Sequence, residues 1–229
     1  MGIDAVIDIS HMVTVTDFRE VRRSRILAVI HKATEGGDYP DRSYATRRPQ
    51  AEAAGLLWGA YHFGTRQFSG LKQAQFFLAM ANPGPRTLMA LDLEISPNPR
   101  NSMTLDQAEA FVRTVQDATG RLPVVYVHPT WANGDPLPRS NNRLDAPITQ
   151  SSILARCDLW VADYHDSPEI PLAWANRGWK FWQYAADESD SKPAYGATST
   201  VAGLTHCDRN LFNGDTADLF HYWTGRAAA

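Results

Sequence analysis

Apolar, β-branched runs recur along the chain, separated by helical or polar stretches. Several runs are apolar at consecutive positions, which is typical of parallel strands buried on both faces, and their alternation with helices indicates an α/β fold. Eight such strands would close a β/α barrel. The predicted strands cover residues 5–9, 26–30, 56–63, 87–91, 122–127, 158–162 and 179–184, with a short last one around Asp208.

Three segments between these strands have the apolar spacing of helices: 43–54, 72–81 and 104–119. The last carries Thr104 as a predicted N-cap and stops at Gly120, a residue type common at helix ends. Two long connections are rich in Asn, Pro, Ser and Asp. Because long irregular connections in a compact domain often bind ligands, we expect binding loops at residues 130–148 and 187–205.

Length and composition narrow the protein class. A chain of 229 residues, 44% hydrophobic and 21% charged, can bury one large core, and we expect a single domain over residues 1–229. The net charge of −3 offers no basic field for nucleic acid. No run approaches the roughly 20 apolar residues of a membrane span, so no membrane partner is expected. Residues 1–20 lack the basic start and apolar run of an ordinary export signal.

Cysteine and histidine patterns suggest no metal or cofactor. Cys157 and Cys207 are too few for a disulfide framework, and we expect two reduced, buried thiols, with a single disulfide as the alternative. The seven histidines show no zinc-binding spacing. A nucleophile elbow, a phosphate-binding loop and a dinucleotide fingerprint are also missing from the sequence.

Polar residues fall repeatedly at or just past the ends of the predicted strands. In a β/α barrel these ends form the catalytic face, and a polar residue within an apolar strand costs free energy unless it is paired. Their recurrence therefore predicts one shared polar pocket. The residues concerned are Asp8, Lys32, Tyr61, His62, Asp92, Glu94, Tyr126, Gln183 and Asp208.

The segment Asp92-Leu93-Glu94 is the most informative of these. Strand alternation puts Asp92 and Glu94 on one face, with Cα atoms roughly 6.5 Å apart. Two carboxyls that close repel each other when ionised, so one should have a raised pKa and stay protonated near neutrality. An acid beside a carboxylate is what glycosidic bond cleavage requires.

Aromatic residues crowd the strand ends and loops, and they have two interpretations. Sugar rings present apolar faces on which aromatic side chains can pack. We expect binding roles for Tyr61, Tyr126, Trp182 and Tyr184, and core positions for Trp58, Trp160 and Trp179. His62 fits equally well as a pocket residue or as a buried, hydrogen-bonded histidine.

In order along residues 5–214, these motifs resemble those of the Chalaropsis-type lysozymes, glycoside hydrolase family 25. Each motif alone is modest evidence, but together and in order they are very specific. They are Ile7-Asp8-Ile9-Ser10-His11, His31-Lys32-Ala33-Thr34-Glu35-Gly36, Gly59-Ala60-Tyr61-His62-Phe63, Leu91-Asp92-Leu93-Glu94, Leu122-Pro123-Val124-Val125-Tyr126, Leu159-Trp160-Val161-Ala162, Trp182-Gln183-Tyr184 and Asp208-Arg209-Asn210-Leu211-Phe212.

The resemblance implies a modified, TIM-like barrel of eight strands with helices reduced or missing in the C-terminal half. It implies hydrolysis of the β-1,4 bond between N-acetylmuramic acid and N-acetylglucosamine, with Glu94 as general acid and Asp92 steadying the 2-acetamido group. Asp8 and Asp208 would complete the acidic floor. The implied substrate contacts are Tyr61, His62, Lys32, Tyr126, Trp182, Gln183 and Tyr184.

Two alternatives stay open: a chitinase-like hydrolase of N-acetylhexosaminides, and a barrel that binds cell walls without cutting them. The implied partner is bacterial peptidoglycan, acted on by a monomer at the cell wall or in the periplasm. Without an ordinary signal in residues 1–20, export would depend on phage lysis, a secretion system or a signal trimmed from this chain.

Overall fold

A computed structural model describes residues 2–138, 140–186 and 201–225. The strands form one sheet in the order β1-β9-β8-β7-β6-β5-β4-β2-β3. An additional β1–β2 pairing closes eight of them into the predicted barrel, to which β3 is attached as a hairpin arm. The strands are β1 Ile3–Ile9, β2 Ala28–Glu35, β3 Tyr39–Pro40, β4 Leu57–Phe63, β5 Leu88–Asp92, β6 Val124–Val127, β7 Leu159–Ala162, β8 Phe181–Ala185 and β9 Asp208–Phe212.

The helices that connect the strands become shorter in the second half of the barrel, as the resemblance implied. Full helices follow β1, the β2–β3 hairpin, β4 and β5, whereas β6 and β7 are followed only by a four-residue helix and short 3₁₀ turns. The 3₁₀ turns in this half are Ile153–Arg156 and Leu172–Trp174. The helices are α1 Phe18–Arg23, α2 Tyr44–Ala53, α3 Gly70–Ala81, α4 Leu105–Thr119, α5 Pro129–Ala132 and α6 Thr216–Gly225.

Local signals set the helix ends. Thr104 and Gln107 form a reciprocal capping box at the start of α4, and Gly120 ends the helix at φ +71°, a left-handed conformation that glycine adopts without strain. Helix α3 begins two residues earlier than predicted, because the Ser69 side chain accepts a hydrogen bond from the Lys72 backbone. Of the two predicted binding loops, residues 187–200 lie outside the described part of the chain.

Among the eight barrel strands, β9 departs from the prediction of an all-parallel sheet. Strand β9 is antiparallel to both of its neighbours, β1 and β8. The register pairs Asp8 with Asp208, so β9 starts at the end of the barrel where β1 finishes. Strand β8 ends at the mouth of the barrel and β9 begins there, so β9 must run antiparallel to its neighbours. Its first residue, Asp208, therefore still reaches the mouth of the barrel.

Strand alternation divides the molecule into an outer and an inner core. Outward-facing residues pack against the helices, while inward-facing residues such as Ile30, Trp160 and Phe181 fill the lower half of the barrel. Helix α6 covers the bottom, where the Trp223 indole donates a hydrogen bond to the Trp58 carbonyl at 3.0 Å. The apolar filling below leaves the polar mouth above as the place for chemistry.

Cys157 and Cys207 are both free and buried, which confirms the prediction of two reduced thiols over that of a disulfide. Trp58 and Trp160 are 2% exposed, which confirms their predicted core positions, whereas Trp179 is only partly buried and packs against the outer core. None of the helices in the described ranges is long and apolar enough to cross a membrane.

Candidate active site

The inward-facing residues at the upper strand ends enclose a small polar cavity of about 80 Å³. Strands β1, β4, β5, β6, β7, β8 and β9 each supply a lining residue, because alternation turns every second side chain inward. The four carboxyls of the sequence prediction all reach it. The lining consists of Asp8, Tyr61, Asp92, Glu94, Tyr126, Trp160, Gln183 and Asp208.

Asp8 is held by two side-chain amides. Asn210 donates to its Oδ2 at 2.8 Å, and the Gln183 amide lies 3.1 and 3.2 Å from its two oxygens. Asn210 is itself fixed by the Trp160 indole, which donates to the Asn210 Oδ1 at 2.6 Å. Burial raises the pKa of Asp8 to about 6, and hydrogen bonds with Asn210, Gln183 and Asp208 limit the rise.

Gln183 connects two tyrosines to two carboxyls. Its Oε1 accepts hydrogen bonds from Tyr126 at 2.9 Å and Tyr164 at 2.7 Å, which leaves its amide nitrogen to face Asp8 and, at 3.5 Å, Asp208. With both phenols donating to the oxygen, the amide cannot flip without losing these bonds. The network therefore fixes the side of the cavity opposite Asp92 and Glu94.

Asp92 and Glu94 occupy the least compensated positions. Burial raises the pKa of Glu94 to about 7, with Asp8 adding to the rise and Lys32 opposing it. Burial, and then repulsion from Glu94, raise the pKa of Asp92 well above its ordinary value. Asp92 Oδ1 is buried, and no donor among the described residues reaches it. A protonated acid can therefore persist here near neutral pH.

Lys32 is the cation of the site, and its position is set by two neighbours. Its ammonium lies 2.6 Å from Glu35 and 4.8 Å from the centre of the Phe63 ring. The Lys32 side chain is 13% exposed, so its charge acts through a partly dry environment on Asp92 and Glu94. Lys32 thus lowers the pKa of both carboxyls through its charge. It lies beside the cavity and is not part of its lining.

Besides Lys32, three residues predicted to contact substrate lie outside the cavity lining. His62 faces outward and is fully buried, with its ring nitrogens bonded to Thr34 at 2.8 Å and Gln73 at 3.1 Å. Its ring stacks on Phe111 at 4.8 Å. His62 is therefore a buried, hydrogen-bonded histidine, and the alternative prediction that it lines the pocket is wrong.

Trp182 and Tyr184 are corrected for the same reason. They flank Gln183 in β8, and since Gln183 points inward, its neighbours must point outward. The Trp182 indole donates to the Asp163 carbonyl, and the Tyr184 hydroxyl donates to Asp4 at 2.8 Å on the outer side of the sheet. Neither side chain lines the cavity.

Sequence reasoning missed Asn210, Tyr164 and Glu35. Asn210 lies two positions after Asp208 and Tyr164 two after Ala162, so strand alternation alone would have placed both on the inner side. Glu35 gave no such signal, because it follows a bulged register between Lys32 and Thr34. Among the described residues, no group of three His, Cys, Asp or Glu side chains could hold a metal ion.

Comparison with known proteins adds independent evidence. The family model of glycosyl hydrolases family 25 matches residues 7–192. Lysozyme M1 of Streptomyces globisporus is 29% identical over 226 residues, covering 93% of this chain and 69% of the relative. The N,O-diacetylmuramidase of Arthroderma benhamiae is 29% identical over 191 residues, covering 78% of this chain and 75% of the relative.

Solved structures agree. The bacterial lysozyme of Streptomyces coelicolor superposes with a TM-score of 0.80 at 26% identity, covering 99% of both chains. A family GH25 lysozyme of Aspergillus fumigatus superposes with a TM-score of 0.72 at 26% identity, covering 100% of both. With a family model matching over most of its length, the chain belongs to glycosyl hydrolases family 25 and is a glycoside hydrolase.

Proposed function

We propose that this enzyme is a muramidase that hydrolyses the β-1,4 bond between N-acetylmuramic acid and N-acetylglucosamine in bacterial peptidoglycan. The observation that carries the proposal is the convergence of Asp8, Asp92, Glu94 and Asp208 on one cavity, with the pKa of Glu94 at about 7. Relatives named lysozyme and N,O-diacetylmuramidase support the same substrate. The site of action is accordingly the cell wall, and residues 1–229 act as one catalytic domain.

Glu94 serves as the general acid in this proposal. A carboxyl with a pKa of about 7 is protonated in a large fraction of molecules near neutral pH, so it can give its proton to the bridging oxygen as the glycosidic bond breaks. Lys32 keeps the pKa from rising further, which preserves the acidity needed for proton transfer. After departure of the leaving sugar, the Glu94 carboxylate can take a proton from the incoming water.

Asp92 serves the 2-acetamido group. Its unpartnered Oδ1 is a ready acceptor for the acetamido N–H. Held in this way, the acetamido carbonyl oxygen can attack the anomeric carbon, forming a cyclic cation while the bond to the bridging oxygen breaks. The positive charge that develops as the bond breaks favours the ionised form of Asp92, so the reaction step opposes the rise that burial causes in its pKa.

Asp8 and Asp208 hold the sugar and the incoming water on the opposite side of the cavity. Their orientation depends on Asn210 and Gln183, which are anchored in turn by the inner core. Tyr61 and Tyr126 offer apolar ring surface within the cavity lining, suited to the faces of a sugar.

Mass analysis of fragments released from purified peptidoglycan tests the proposal. A muramidase produces fragments that end in reducing N-acetylmuramic acid, whereas reducing N-acetylglucosamine ends would refute the bond assignment. Cleavage of chitin in preference to peptidoglycan would support the chitinase-like alternative. The matched variant is Glu94→Gln. It should bind peptidoglycan but cleave it far more slowly, and full activity would show that Glu94 is not the general acid.

A further inference from the structure

Two arginines lie beside the mouth of the barrel, on the loops that follow β4 and β5. Arg66 and Arg100 are both exposed, and neither forms an ion pair with an acidic residue in the described ranges. Within those ranges both arginines are open to solvent and have no acidic partner, so each can pair with an anionic ligand.

Backbone hydrogen bonds tie both arginines to the strand that carries the carboxyls. The Gly64 amide donates to the Asp92 carbonyl at 3.0 Å, and the Arg66 amide donates to the Asn101 carbonyl at 2.8 Å. An antiparallel bridge between Thr65 and Ser102 joins the same two loops. Arg66 lies two residues beyond Gly64, a span of about 7 Å at most. Both guanidinium groups are therefore within side-chain reach of the rim next to Asp92.

The surrounding loops hold this arrangement in place. Gln107 donates to the Arg66 carbonyl at 2.9 Å from the first turn of α4. The Ser96 amide donates to the Ser102 hydroxyl at 3.0 Å, which closes the loop that leads from Glu94 to Arg100. The Arg66 loop is bonded to α4 and β5, and the Arg100 loop is bonded to the Arg66 loop, so little ordering is needed when a ligand pairs with the two charges.

Electrostatics indicates the kind of ligand. The cavity collects four carboxyls and the chain has a net charge of −3, so an anionic polymer is repelled unless cations lie where its charges fall. The peptides attached to muramic acid carry free carboxylates a few bonds from the sugar that occupies the cavity. Arginine pairs with carboxylates through two parallel N–H donors, which gives both attraction and orientation.

We propose that Arg66 and Arg100 form a binding site for the carboxylates of the stem peptides on muramic acid, so that this enzyme selects peptide-bearing glycan strands over bare ones. The inference rests on the proposed function, because the peptide reaches this rim only if muramic acid occupies the cavity. It names a substrate contact outside the carboxyl cluster and separate from bond cleavage itself.

The test compares kcat/KM on intact peptidoglycan and on glycan strands stripped of peptides by an amidase. The double variant Arg66→Gln, Arg100→Gln should lose about three- to tenfold on intact strands through a higher KM, and should match the parent enzyme on stripped strands. The control is Arg22→Gln, Arg86→Gln, which removes the same charge at the opposite end of the barrel and should lose activity on neither substrate.

Equal losses on both substrates, or losses matched by the control, would overturn the inference while leaving the proposed function intact. A parent enzyme that cleaves neither substrate would overturn the proposed function and this inference together. Added salt provides a second readout: the preference for intact strands should shrink as ionic strength rises in the parent enzyme and stay flat in the double variant.

Discussion

Replacing Glu94 by glutamine should make the protein more stable at neutral pH while it removes the proposed acid. The pKa of Glu94 is raised from an ordinary 4.5 to about 7, chiefly by burial. For a carboxyl whose pKa is higher in the folded state, the folded form binds more protons between these two values. Stability therefore falls as pH rises from about 4.5 to about 7, and stays low above that range.

The size of the effect follows from the same two values. At about 1.4 kcal/mol per pH unit, the rise from 4.5 to about 7 opposes folding by about 3 kcal/mol once the group is ionised. Glu94 is only partly buried, so solvent screening reduces this to about 1–2 kcal/mol. In a domain of this length, that corresponds to a rise in Tm of about 2–8 °C for Glu94→Gln at pH 8.

Thermal unfolding of both proteins between pH 4 and pH 8 measures this. The gain in Tm should be absent at pH 4, grow across the window and be complete near pH 7, while kcat falls by about 10²- to 10⁴-fold. Glu169→Gln makes the same chemical change at an exposed position and should leave Tm nearly unchanged at every pH. A gain of equal size at pH 4 and pH 8, or a loss at pH 8, would refute the reasoning.

Three further predictions concern the neighbours of this acid. Lys32→Met should move the alkaline limb of the kcat profile to higher pH, because Lys32 lowers the pKa of Glu94; a shift to lower pH would contradict this. Asp8→Asn should move the alkaline limb to lower pH, because Asp8 raises the pKa of Glu94. An unmoved limb would show that the limb does not report the ionisation of Glu94. His62→Ala should reduce the free energy of unfolding by about 2–4 kcal/mol, measured by denaturant titration, with KM nearly unchanged; a large rise in KM would restore His62 to the pocket.

The carboxyl cluster was predictable because it depends on only two regularities. Parallel strands in a barrel share one catalytic end, and alternation keeps Asp92 and Glu94 on one face. The same alternation, applied strictly, excludes all three errors. Tyr61 and His62 are adjacent and cannot both point inward. Gln183 points inward, so Trp182 and Tyr184 on either side of it point outward. Position along a strand therefore predicts the lining of the cavity better than residue type does.

Other features depend on contacts that no local pattern encodes. The reversal of β9 follows from where the chain re-enters the sheet, and the period-two pattern of a strand is the same in either direction. The pairing of Lys32 with Glu35 depends on an irregular register in β2, which shifts the alternation after Lys32. Both features become visible only when strands are paired.

Burial of Glu94 is the common origin of the stability penalty at this site and of its proposed acid chemistry. Burial that raises the pKa of Glu94 also makes its ionised form costly, so an acid able to protonate a sugar oxygen near neutral pH cannot be free of a stability penalty. The barrel offsets that penalty below the cavity, where Trp160 and Phe181 are packed in the inner core. Trp160 connects the inner core to the active site, because its buried indole also fixes Asn210 and, through Asn210, the carboxyl of Asp8. Shortening Trp160 should therefore disturb stability and carboxyl orientation together, whereas Glu94→Gln separates them.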